Sequence, residues 1–77
     1  MISLNNLAVG KSARVLEVNG EAALRRRLLE MGITPNTIVT VKKIAPLGDP
    51  IELFLRGYVL TIRINDAKNI LVKEVEL

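Results

Sequence analysis

Four strand-like runs follow one another in the second half of this sequence, and no segment long enough for a crossover helix separates them. The runs are dominated by β-branched residues, with polar residues at strand spacing, and cover residues 38–44, 51–55, 58–64 and 70–75. A parallel sheet needs a crossover of a dozen or more residues for each strand, so these strands have to pair antiparallel.

The first half of the chain predicts one more strand and a single helix. Residues 13–18 are rich in β formers, and the Asn-Gly pair at 19–20 favours a turn. Residues 21–31 are good helix formers, and Gly32 stands where a left-handed C-terminal cap is expected. We also expect a helical turn over residues 3–7, capped by Ser3.

The predicted helix has one apolar face. Leu24, Leu28 and Met31 lie within about 60° of one another, and they are the expected core contacts. Leu29 lies about 140° from Leu24, outside that stripe.

Two short turns complete the predicted elements. Arg56-Gly57 fits a two-residue hairpin turn, and residues 65–69 fit one helical turn with Asn65 or Asp66 as its cap. The expected fold class is therefore mainly β: a small antiparallel barrel of about five strands. One α-helix follows the first strand and a short helical turn precedes the last.

Composition excludes several classes of chemistry. The 77 residues suffice for one domain, spanning 1–77, and contain no His and no Cys. A Ser-His-Asp triad, a cysteine nucleophile, a zinc finger and an iron–sulfur site are thus ruled out, and we expect no catalytic residues and no dedicated cofactor. The carboxylates are scattered, so only weak divalent metal binding is left open; they stand at Asp49, Glu52, Asp66, Glu74 and Glu76.

Charge and hydropathy limit the classes of partner that we expect this chain to bind. There are 11 Lys and Arg against 8 Asp and Glu, a net charge of +3, which is less than a strong nucleic-acid binder of this size usually carries. The sequence has one Phe, one Tyr and no Trp, too few for stacking on single-stranded nucleic acid. The beginning of the chain has no basic segment followed by a long apolar run, so a cytoplasmic location is expected.

The order of motifs resembles the ferrous iron transport protein A (FeoA) family, whose fold is an SH3-like barrel. Four pieces match in order: Leu4 and Leu7 before Gly10, the helix end at 27–33 with Pro35, the Pro-Leu-Gly-Asp-Pro loop at 46–50, and the closing run from Gly57 through Arg63 to 70–72. Asn36 departs from the glycine usual in the family, but Asn tolerates the left-handed conformation better than most residues.

This resemblance implies a function. Members of the family are small cytosolic partners of FeoB, the large GTP-dependent ferrous iron transporter, and are thought to dock on its cytoplasmic part. The resemblance therefore implies a contact with the membrane only through the transporter. Related SH3-like domains form the C-terminal part of metal-dependent repressors, but this chain has no room for an additional DNA-reading helix-turn-helix.

Three groups of residues are candidates for partner binding. On the helix these are Arg25 and Arg26, with Leu29 beside them; the alternative is a solvated face in which Glu21–Arg25 and Arg26–Glu30 pair. In the proline-flanked loop they are Leu47, an expected exposed apolar side chain, and Asp49. The loop's alternative role is that of a rigid connector between strands.

The third candidate is Phe54, for contact with the transporter or with a second copy. Strand alternation places it with Glu52 and Arg56, on the face opposite Ile51, Leu53 and Leu55. Alternation also places Phe54 and Tyr58 on opposite faces, so one of the two is expected in the core.

Two other functions remain open at this point. A nucleic-acid-binding small barrel would need its cations on one face, namely Arg14, Arg25 to Arg27, Lys42, Lys43 and Arg63. A stand-alone metal-sensing domain would bind a divalent ion tightly at one site. An exposed sheet edge would allow homo-oligomers, although no residue pattern requires one.

Overall fold

A computed structural model covers all 77 residues and shows one antiparallel sheet with two short α-helices. The elements in chain order are β1 (Ile2–Ser3), a 3₁₀ turn (Leu4–Asn6), β2 (Ser12–Val18), α1 (Ala22–Glu30), β3 (Ile38–Ile44), β4 (Ile51–Leu55), β5 (Tyr58–Ile62), α2 (Ile64–Ala67) and β6 (Ile70–Val75). The mainly β prediction, with its helix after the first long strand and its helical turn before the last, is confirmed.

The six strands are paired in the order β1-β6-β2-β3-β4-β5. The sheet bends around its core but does not close, because β1 and β5 are its two edges and are not paired with each other. Two β-bulges interrupt the ladders, between Val15 and Glu17 in β2 and between Val41 and Lys43 in β3. Bulges bend a strand and raise its twist, which lets so small a sheet curl.

The core is made by the inner faces of the strands, the 3₁₀ turn and the two helices. It contains 16 buried apolar side chains: Leu4, Leu7, Ala13, Val15, Val18, Leu28, Ile33, Val39, Val41, Ile51, Leu53, Leu55, Ile62, Ala67, Ile70 and Val72. Leu24 and Met31 of the predicted helix stripe pack against it, and Leu28 is fully buried. Leu29, which lies outside that stripe, is 37% exposed.

The beginning of the chain differs from the prediction. Ser3 stands at the N-cap position of the 3₁₀ turn, but its side chain makes no capping hydrogen bond. Instead Ile2 and Ser3 form a sixth strand, opposite Val72 and Leu71 of β6. The two-residue strand has no local periodicity, and only its pairing partner, about seventy residues away, defines it.

The end of β5 also differs. The strand stops at Ile62, and Ile64 begins α2 instead of extending the strand. The N-cap of α2 is Arg63 rather than Asn65 or Asp66, and its side chain makes no capping bond. The Ile64 N–H donates instead to Asp49 Oδ1 at 2.9 Å, so a carboxylate from a distant loop takes the place of a local cap.

No helix of the structure is both long and apolar enough to cross a membrane; the longer of the two, α1, has nine residues.

Candidate partner-binding surface

The proline-flanked loop between β3 and β4 is held at three points. Ala45 N–H donates to Pro50 O at 3.1 Å, and Gly48 N–H donates to Ala45 O at 2.7 Å, which closes the loop on itself. Asp49 Oδ1 accepts from Ile64 N–H and fastens the loop to α2. Between these anchors Leu47 is 97% exposed. The loop is therefore a rigid connector and also presents one apolar side chain to solvent.

The exposed side of α1 carries Arg25, Arg26 and Leu29. Neither arginine forms an ion pair, so the Glu21–Arg25 and Arg26–Glu30 pairs of the alternative interpretation are absent. The structure has one ion pair, from Arg27 Nη2 to Asp66 Oδ2 at 3.0 Å, which joins α1 to α2. The helical surface thus keeps two free cations beside a partly exposed leucine.

A third surface lies on the outer face of β3, β4 and β5. Phe54 is 41% exposed and stands opposite Thr40 in β3 and Val59 in β5. Ile38 is a diagonal neighbour on the same face, within reach of an aromatic ring. We call Ile38, Phe54 and Val59 the outer patch.

Basic residues border the outer patch. Lys42 Nζ lies 5.7 Å from the centroid of the Phe54 ring, in range for a cation–π contact. Arg14 in β2 stands opposite Ile38 and is exposed. An apolar centre with cations at its rim is the chemistry of a surface that receives a partner with apolar and acidic groups.

Neither aromatic residue is in the core, which corrects the expectation for Phe54 and Tyr58. Tyr58 is 40% exposed, and its hydroxyl donates to Met31 O at the end of α1. A phenol with its hydroxyl on an unpaired helix-end carbonyl satisfies both groups at the protein surface. Alternation placed Tyr58 on the inner face correctly, but the ring lies at the margin of the sheet, where that face meets solvent.

Ile38 and Val59 are surface residues that sequence reasoning did not select. Alternation indicated that Val59 shares a face with Thr61 and Arg63, and that signal identified an outward side chain. The same signal was present for Ile38, because alternation in its run places it on the face of Thr40 and Lys42 and not with the buried valines.

The candidate residues do not form one site. Leu47 lies in the loop before β4, whereas Phe54 is the fourth residue of that strand and is near its far end. Arg25, Arg26 and Leu29 are on the helix. The carboxylates are also dispersed, and no group of three or more comes close enough to hold a metal ion. The chain thus offers three small surfaces: the loop, the helix and the outer patch.

Comparison with known proteins identifies the family. The model of the FeoA domain matches residues 2–74. A curated relative, the Fe(2+) transport protein A/Fe(2+) transporter FeoB fusion protein of Porphyromonas gingivalis, is 38% identical over 74 residues. That match covers 96% of this chain and 8% of the fusion protein, so the chain spans only a small part of that relative.

Solved structures agree with the family and with the fold. The solution structure of a FeoA-like protein from Clostridium acetobutylicum has a TM-score of 0.90 and 38% identity, and the match covers 99% of this chain and 88% of that one. FeoA of Stenotrophomonas maltophilia, a prokaryotic SH3 domain protein solved with zinc, has a TM-score of 0.78 and 26% identity, covering 95% and 91%. This chain therefore belongs to the FeoA family, has its SH3-like fold and is linked by that family to ferrous iron transport.

Proposed function

We propose that this chain is a non-catalytic accessory protein of ferrous iron uptake that works in the cytoplasm. In this role it binds the cytoplasmic GTPase region of a FeoB-type transporter through exposed side chains held on a rigid sheet. The observation that carries the proposal is the Porphyromonas gingivalis relative, in which a related domain and the transporter are one polypeptide. Fusion holds two modules at a high effective concentration, which is useful when they act on one another.

The chemistry of the chain supports a binding role over a catalytic one. With no His and no Cys, the side chain most often used for proton transfer near neutral pH and the thiol nucleophile are missing. The exposed features are instead an apolar side chain on a fastened loop, free arginines on a helix and an apolar patch with a basic rim. Such features contribute area and charge complementarity to an interface.

Leu47 is the most informative residue to substitute, because the fold does not depend on its side chain. At 97% exposure, its truncation should change the free energy of unfolding by less than about 0.5 kcal/mol. If it inserts into the transporter, Leu47→Ser should weaken binding about tenfold or more, since a buried leucine contributes roughly 1.5–3 kcal/mol.

The measurement is binding of the purified chain to the purified cytoplasmic region of a FeoB-type transporter, together with urea unfolding of each variant. Val9→Ser is the matched control, because Val9 is also an exposed aliphatic residue in a loop, at 54%. Arg26→Ala tests the helical surface in the same assay. If Leu47→Ser binds with unchanged affinity, the loop is not part of the interface. No binding by the unchanged chain, or salt-dependent binding to RNA instead, would contradict the proposed function.

A further inference from the structure

The two edges of the sheet differ in how they are protected. β1, at one edge, has two residues, and a very short strand gives little template for pairing. β5, at the other edge, has five residues and pairs with β4 in continuous register without a bulge. Its sequence, Tyr-Val-Leu-Thr-Ile, contains no proline and no charge. The features that usually prevent an edge strand from pairing are therefore missing from β5.

The hairpin fixes which backbone groups of β5 are free. Arg56 and Gly57 both have positive φ, 48° and 85°, as a two-residue type I′ turn requires. Such a turn closes on a hydrogen-bonded pair, here Leu55 with Tyr58, and hydrogen-bonded pairs then alternate along the ladder. Leu60 and Ile62 therefore bond to β4, whereas the backbone groups of Val59 and Thr61 point away from it.

Those outward groups have no partner within the chain. No turn, loop or cap hydrogen bond uses the N–H or the C=O of Val59 or Thr61. Both residues are exposed, Val59 to 53%. Two donors and two acceptors are thus spaced as in an antiparallel or parallel ladder that lacks its next strand.

Two shallow cavities border the same edge. One, of about 310 Å³, is lined by Asp49, Pro50, Thr61, Ile62 and Arg63. The other, of about 220 Å³, shares Pro50 and Thr61 with it. An added strand would direct alternate side chains to opposite faces, so the edge offers room for side chains as well as backbone partners.

The charges near β5 determine which kind of additional strand the edge can bind. Arg63 follows the strand and forms no ion pair. Arg56 precedes it; its Nη2 donates to the Thr34 and Thr37 hydroxyls at 2.9 Å, and no carboxylate neutralises its charge. Of the two nearby carboxylates, Asp49 accepts the Ile64 N–H, and Glu52 stands opposite Thr61 on the β4 side of the edge without forming an ion pair, so the two ends of β5 carry the cations and its middle faces one carboxylate. The free charge at both ends of the edge is therefore positive.

This charge pattern disfavours a second copy of the chain. Two antiparallel β5 strands that pair Val59 with Thr61 of the other copy would place Arg63 of each beside Arg56 of the other. Like charges in such positions are destabilising, whereas acidic residues at the same positions would be stabilised.

We propose that the free edge of β5 binds an extended, acidic polypeptide segment as a further strand of the sheet. The segment's backbone bonds to Val59 and Thr61, its acidic side chains approach Arg56 and Arg63, and an apolar side chain on the outer face contacts Val59 and Phe54. The inference rests on the proposed function, which identifies the partner: the segment belongs to the cytoplasmic region of the transporter.

The test uses Thr61, one of the two positions where a backbone donor can be removed without touching the β4 ladder. Thr61→Pro deletes an outward N–H, and Thr61→Ala is its matched control, because it shortens the same side chain and keeps that N–H. With the purified cytoplasmic region as the probe, we expect Thr61→Pro to bind about tenfold more weakly than Thr61→Ala. Equal affinities of the two variants overturn the inference while leaving the proposed function intact.

Charge reversal and amide hydrogen exchange test the same edge without proline. Arg63→Glu should lower affinity at least about fivefold and reduce its salt dependence, whereas Lys11→Glu, an equal change of net charge on another exposed residue, should have little effect. In the complex of the unchanged chain, the Val59 and Thr61 amides should exchange about tenfold more slowly. If Thr61→Pro does not fold, the exchange of these two amides decides whether the edge of β5 binds the segment.

Three outcomes count against the inference. If the two amides gain no protection in the complex, the edge is not used. If they gain it in the chain alone as concentration rises, a second copy occupies the edge. If the unchanged chain does not bind the cytoplasmic region, the proposed function and the inference both fail.

Discussion

At the scale of single residues, the contact between Gly32 and Tyr58 joins the end of the helix to the hairpin. Gly32 has φ of 99°, the left-handed conformation that ends α1, and Tyr58 donates its hydroxyl hydrogen bond to Met31 O beside it. A Cβ at position 32 would collide with that hydroxyl. Glycine is therefore required there by its backbone conformation and also by the approach of the tyrosine.

Gly32→Ala should consequently destabilise the chain in two ways. The left-handed conformation costs about 1–2 kcal/mol for alanine, and displacement of the tyrosine adds about 1 kcal/mol from the lost hydrogen bond. The free energy of unfolding, measured in urea, should fall by the sum. In a Tyr58→Phe background the hydroxyl is absent, so only the conformational cost should remain. An equal loss in both backgrounds would show that the collision does not matter.

At the scale of elements, β4 shows how one strand serves both the core and a surface. Leu53 is fully buried, whereas its neighbour Phe54 is 41% exposed on the outer patch. The two side chains point to opposite faces because successive residues of a strand alternate. Stability and binding are thus assigned to adjacent residues and can be separated by substitution.

Leu53→Ala should lower the free energy of unfolding by about 2–5 kcal/mol, because it leaves a cavity among packed side chains. Phe54→Ala should lower it by no more than about 1 kcal/mol, since the ring is partly in solvent and its contact with Lys42 is weak. Chemical denaturation of both variants compares the two losses directly. A larger loss for Phe54→Ala would contradict the burial of these two residues.

The loop before β4 illustrates a long-range cap. Asp49 satisfies the first free N–H of α2, and thereby holds the segment that presents Leu47. This role leaves Asp49 less available to a partner than Leu47, although its second carboxylate oxygen remains. Its place in the binding surface stays a prediction.

At the scale of the whole molecule, a small sheet supports several separate surfaces. Sixteen apolar side chains form the core, and the loop, the helix and the outer patch each present at least one exposed apolar side chain. Each surface alone is small, so a free-standing domain of this size is expected to bind its partner transiently. In a fused relative the tether compensates for a weak interface.

We therefore expect fusion to rescue a binding defect. A Leu47→Ser chain supplied separately should support ferrous iron uptake less well than the unchanged chain in cells that lack their own FeoA. The same variant joined to the transporter by a flexible linker should restore uptake, because a short tether gives an effective concentration of about 1 mM. Radioactive iron uptake is the measurement. Failure of the fused variant, with the unchanged chain active in the same fusion, would show that Leu47 does more than supply affinity.

Much of this protein was determined by the sequence itself. The composition of residues 21–31 specified a helix, the alternation in β4 specified which side chains are buried, and the turn residues specified the hairpin. Asn36, as anticipated, has φ of 75°. These features could be predicted because local backbone preferences and side-chain periodicity act over only a few residues.

Other features were decided only by the tertiary structure. Ile2 and Ser3 became a strand because β6 lies beside them, Tyr58 found a helix-end carbonyl instead of the core, and Arg27 paired with Asp66 rather than with a neighbour on its own helix. The free edge of β5 depends on the order in which all six strands pair. Each of these features depends on groups that are far apart in the chain and become neighbours only when it folds. The local sequence therefore does not predict them.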